Sequence, residues 1–201
     1  SLNGSGDMAI SASRVPLTQR TDRWIIVSGN GHARLEKATL RLDGSLTADA
    51  GLIRQPVIAP PQLSDDVIIT TQQQHASPAQ HDFAMDANLD LGEHFFLRAS
   101  GLEARLTGRL QVQENPRHSL RITGSIAAHE ASFEAYGQHL TLERGIVNFT
   151  GSIYDPGLNL LALRKGLSVE AGVTVTGTAR HPVVRLVSTP NVPDSEKLAW
   201  I

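Results

Sequence analysis

Apolar and polar residues alternate along most of this chain. From Lys37 to Leu52 the even positions are Ala38, Leu40, Leu42, Gly44, Leu46, Ala48, Ala50 and Leu52. They oppose Lys37, Thr39, Arg41, Asp43, Ser45, Thr47, Asp49 and Gly51. Side chains two apart on a strand share one face of the pleat, so this period predicts β-structure. Further runs follow at Phe83, Met85, Ala87, Leu89 and Leu91, and at Leu102, Ala104, Leu106, Gly108, Leu110 and Val112. Leu120, Ile122, Gly124 and Ile126 make another, and Leu167, Val169, Ala171, Val173, Val175 and Gly177 the last. Helical character is expected only at the end, where Pro193-Asp194-Ser195-Glu196 reads as a helix start capped by Asp194 or Ser195.

The parity shifts twice, across Ser100-Gly101 and between Ala128 and Ala131, and each shift reads as a bulge or turn. Connections are expected at Val15-Pro16, Gly29-Asn30-Gly31, Asn115-Pro116, Asp155-Pro156-Gly157 and His181-Pro182. The polar stretch 71–82 reads as a mobile loop. A short pattern recurs at irregular spacing: LDGSL (42–46), LTGRL (106–110), ITGSI (122–126), FTGSI (149–153) and VTGTA (175–179). Its glycine always falls on the apolar side of the alternation, where a missing side chain lets a sheet bend toward its greasy face. The expected organisation is a linker or expression remnant over 1–6, a single β domain over 7–190, and a truncated helix start over 191–201, all within a longer protein.

Composition narrows the function. Cysteine is absent, which removes disulfides, thiolate metal sites and Cys nucleophiles. The formal charge is -2 with both signs interspersed, so no basic stripe for nucleic acid is present. No apolar run is long enough for a spanning helix. No nucleophile elbow, zinc-protease motif or phosphate loop occurs. His75 and His81 share the polar stretch and read as solvated, and Asp65-Asp66 reads as flanking the strand DVIIT. The chain is expected to be no enzyme, with no cofactor and no metal.

The pattern poses an energetic problem. Leaving about ten large apolar side chains in water forfeits about 15–30 kcal/mol, more than the 5–15 kcal/mol or so that holds a typical domain. A second sheet, closure of the sheet on itself, or an apolar ligand would each cover the face. Alternation alone favours the sandwich. The length of the runs opposes it, since a usual strand has about five or six residues.

A resemblance bears on that choice. Tyr136–Lys165 (YGQHLTLERGIVNFTGSIYDPGLNLLALRK) and Val173–Ile201 (VTVTGTARHPVVRLVSTPNVPDSEKLAWI) resemble the C-terminal domain of the TamB family. Thr47–Ile53 and Ala59–Thr70 fit the same family. The resemblance implies an all-β, elongated curved sheet: a half-pipe, or β-taco, with a hydrophobic trough. It implies a periplasmic location in a Gram-negative bacterium, with an inner-membrane anchor elsewhere in the full-length protein. Its implied partners are a phospholipid or other acyl-chain ligand, the outer-membrane β-barrel TamA, and client outer-membrane proteins including autotransporters. The alternation then nominates the lining: Leu40, Leu42, Leu46, Phe83, Met85, Leu89, Leu102, Leu106, Leu110, Leu120, Ile122, Ile126, Phe133, Leu140, Leu142, Val147, Phe149, Leu158, Leu160, Val169, Val173 and Val175. The competing reading is a chaperone that pairs client strands along an exposed sheet edge. An outer-membrane barrel fits poorly, because aromatics are 4 % of the chain and leave no girdle. A β-helical polysaccharide enzyme would need a charged cluster on one face, and none is visible.

Overall fold

A computed structural model describes residues 6–36, 39–55, 82–99, 101–115, 118–135 and 137–201. The expected loop at 71–81, the strand DVIIT, Ala38, Pro116 and Tyr136 lie outside the described residues. The chain forms one curved sheet and one short helix. The strands are β1 (Gly6–Gln19), β2 (Arg23–Glu36), β3 (Thr39–Gln55), β4 (Asp82–Asp90), β5 (Phe95–Ala99) and β6 (Leu102–Asn115). Then come β7 (His118–Ala135), β8 (Gln138–Gly151), β9 (Gly157–Arg164), β10 (Glu170–Thr178), β11 (Pro182–Thr189) and the helix α1 (Asp194–Trp200). Neighbours in the sheet follow chain order, with β4 and β5 end to end between β3 and β6. Pairing is antiparallel throughout, except that β3 runs parallel to β4 and β5. β3 and β7 reach 17 and 18 residues, about three times the usual strand.

One layer of sheet buries little. Among the described residues no large side chain is fully buried. The main cluster is Ala48, Leu91 and Phe95, with Ile25, Ile53, Leu89, Leu106 and Ile126 packed around it. A sandwich core would enclose its large residues on both sides, so the expectation of a half-pipe holds and the sandwich does not.

Curvature is built in at glycines. Gly108 and Gly124 sit in the middle of β6 and β7 with φ of 150° and 124°, a region that residues with a Cβ rarely enter. A Cβ on Gly108 would collide with the carbonyl oxygen of Ser125, and one on Gly124 with that of Arg109. Of the five recurrent glycines, Gly108, Gly124, Gly151 and Gly177 take a positive φ. Gly44 differs: it has no positive φ and faces Gly31 across β2 and β3.

Several local expectations are corrected. The alternation read as unbroken from Lys37 to Leu52 contains a bulge. Val27 pairs with Ala48 but Ile26 with Ala50, leaving Asp49 unopposed. Gly51 and Ile53, not Leu52, therefore continue the apolar face. Gly29-Asn30-Gly31 is no connection but lies inside β2, because its two glycines allow β3 to approach closely there. Val15-Pro16 also lies within a strand, beside irregularities in β1. Helix α1 begins after Pro193 with no side-chain cap; Asp194 instead accepts a hydrogen bond from Lys197 Nζ at 2.9 Å. The two predicted parity shifts are present, as a turn at Gly101 and as a bulge where Glu130 takes φ 50°.

Candidate functional site: an apolar trough

Strand register carries the inner face across the sheet in rows. One row runs Ile25, Gly51, Phe95, Leu106 and Ala128, and resumes through Gly145, Leu160, Val175 and Val184. A parallel row runs Gly29, Leu46, Leu89, Leu110, Gly124 and Phe149. Register places the nominated lining residues on this one face except Leu120, which falls at the β7 irregularity opposite Gln113 and Asn115, and Val169, which lies in the turn before β10 and is buried. Residues missed by the nomination share the face: Ile25, Val27, Ile53, Phe95 and Leu97. Their signal was present as alternation in 23–35 and 95–99, but bulges hid its phase relative to β3.

Bulges keep this face continuous over such long strands. Each one resets the pleat, so that Leu142 and Gly145 both face inward around the irregularity before Arg144. Ala128 and Ala131 likewise flank the Glu130 bulge. Glu130 itself turns outward to Arg105 at 2.9 Å. Asp49 accepts a hydrogen bond from Ser28 Oγ, whose oxygen also accepts the Arg14 backbone N–H at 2.9 Å.

Charge is excluded from the middle of the inner face. Arg23, Glu114 and Arg164 share it by register, but each stands at or next to a strand end. The outer face carries ion pairs such as Asp90–Arg109 at 2.8 Å and Asp7–Arg34 at 3.5 Å. At one rim the turns before β9 and β11 are tied together. Asp155 accepts the Arg180 backbone N–H at 2.9 Å, and Ala179 N–H donates to the Pro156 carbonyl at 2.9 Å. A bond from the Thr178 hydroxyl and that Arg180 N–H hold the Asp155 carboxyl below the usual carboxylate range.

A cavity lies on the β1 side of the inner face. Gly29, Gly31 and Gly44 floor this cavity of ≈ 180 Å³, which is walled by Ile10, Leu42, Leu46 and Met85. Apolar side chains there remain open to solvent, Met8 at 58 % and Ile10 at 44 %. Among the described residues no group of three or more His, Cys, Asp or Glu is placed to hold a metal. No described helix is long and apolar enough to cross a membrane.

A family model for the TamB C-terminal domain matches residues 3–201. The translocation and assembly module subunit TamB of Haemophilus influenzae is 27% identical over 146 residues, 70% of this chain. The chain spans 11% of that relative's length. With nearly its whole length matched, this chain belongs to the TamB family, in its C-terminal domain.

Proposed function

We propose that this chain is a periplasmic, non-enzymatic segment of a translocation and assembly module subunit. Its trough shields phospholipid acyl chains passing from the inner to the outer membrane, and it supports assembly of outer-membrane proteins and autotransporters with the barrel TamA. The observation that carries the reading is an inner face that is apolar across the sheet and has no covering layer over most of its extent among the described residues. Acyl chains would supply that layer at about 0.8 kcal/mol per buried CH₂. A line of similar apolar positions favours passage over tight binding, because no single position holds the ligand much more strongly than the next.

The test is native mass spectrometry of the purified chain for co-purified phospholipid. Leu106→Asp and Ile122→Lys each place a charge in the middle of the inner face and are expected to abolish lipid adducts. Asn148→Lys, on the outer face opposite Ser125, is expected to leave them unchanged. A folded Leu106→Asp protein that still carries lipid would sink the reading.

A second reading rests on the sheet's edges. Among the described residues, β1 and β11 each pair on one side only, which leaves backbone groups for an incoming client strand. Photocrosslinkers separate the two: lipid adducts map to inner positions, and client adducts to β1 or β11.

A further inference from the structure

Among the described residues, α1 lies over one end of the inner face. The helix packs against β10 and β11. Three inner-face residues meet it or its approach. Arg164 donates from Nη1 to the carbonyls of Trp200 and Ile201, each at 3.4 Å. Ser188 Oγ accepts the Val192 N–H at 3.1 Å. Ala171, in register with both Arg164 and Ser188, has 0% exposure. Among the described residues α1 is the element outside the sheet that lies on this end of the inner face.

The attachment is weak by construction. The N-terminus lacks a side-chain cap, and both Arg164 contacts are long for hydrogen bonds. Lys197 lays its stem against the sheet and carries its ammonium out to Asp194, which is 76% exposed.

We propose that α1 is a displaceable stopper on the trough, latched by Arg164 and Ser188, which an acyl chain lifts when it occupies the inner face of β9–β11. This rests on the lipid reading above, with α1 standing where the acyl chain would lie. Occupancy and closure then compete, and the apparent affinity of the free chain is reduced by the fraction closed.

The test uses the full chain with Trp24→Phe, so that Trp200 on α1 is the remaining tryptophan. The probe is 1-myristoyl-lysophosphatidylglycerol below its micelle concentration, with binding read by calorimetry and Trp200 exposure by acrylamide quenching. Probe binding is expected to raise the quenching constant about twofold or more. Arg164→Ala is expected to show raised quenching without probe and to bind it about threefold more tightly or better. Ser188→Ala, which loosens the approach to α1 instead, is expected to shift both readouts the same way. Binding with Trp200 unmoved, and with equal affinity in all three proteins, would overturn the stopper while leaving the lipid reading intact. No binding to any of them overturns both.

Discussion

Phe95 lies over Gly51 so closely that a β-carbon on the glycine would sit 2.6 Å from the ring's Cδ2 and 2.7 Å from Cε2. The pair is set by register between β3 and β5, and Phe95, 6% exposed, belongs to the apolar cluster with Ala48 and Leu91. Gly51→Ala therefore forces the ring out of place and is expected to cost about 1–3 kcal/mol by urea denaturation. Phe95→Ala is expected to cost about 3–5 kcal/mol. In the double variant the Gly51 penalty should largely vanish, because the obstructed ring is gone. Strict additivity would show that Gly51 serves some other purpose.

The mid-strand glycines give a second expectation. Gly108→Ala and Gly124→Ala each combine a positive φ with a collision against backbone of the neighbouring strand, which a side-chain rotation cannot relieve. Each is expected to lose about 1–3 kcal/mol from the conformation alone. The control is Gly157→Ala. Its new Cβ would meet nothing nearer than 3.7 Å, and its cost should stay below about 1 kcal/mol. Equal losses at all three positions would mean that bending is not what these glycines provide.

Two bulges on β1 and β3 are joined through β2. Ser28 donates to the Asp49 carboxylate and accepts the backbone N–H of Arg14, a non-glycine residue with φ 51°. Ser28→Ala leaves both groups without this partner and is expected to cost about 1–2 kcal/mol. Hydrogen exchange should show the Arg14 amide losing protection. Unchanged protection there would mean that the bulge on β1 is held by other contacts.

How much of this was legible in the sequence depended on whether the signal was local. Alternation from Leu102 to Val112 placed Leu106 and Leu110 on the right face, since an unbroken β6 run needs only its own phase. Leu52 was misplaced because the Asp49 bulge is a relation between two strands, invisible in either one alone. Gly29-Asn30-Gly31 has the composition of a turn, and only the approach of β3 shows it to be the floor of a cavity. The end of the chain was legible as helix, but not its long-range meeting with Arg164 through Trp200 and Ile201.

A last expectation concerns acid. Arg109 Nε donates to Asp90 Oδ2 at 2.8 Å, and the Gly92 N–H donates to Oδ1 at 2.9 Å. These bonds, the Arg109 one foremost, hold the Asp90 carboxyl below its usual 3.8. In the unfolded chain the group regains that usual value. On acidification the unfolded state therefore binds the proton first. The stabilisation is complete above about pH 5 and drains away as the pH falls through the folded-state value. Its size is small, since the Arg109 side chain is 87% exposed and that of Asp90 35%; about 1 kcal/mol is the ceiling. The stability gap between the native chain and Asp90→Asn should thus be level between about pH 5 and 8 and shrink below about pH 4. Salt near 1 M should trim it, because the pair faces solvent. Urea midpoints at several pH values measure the gap. A gap that persists unchanged into acid would assign the effect to the turn at Gly92, whose geometry a neutral amide side chain in place of the carboxylate disturbs at any pH.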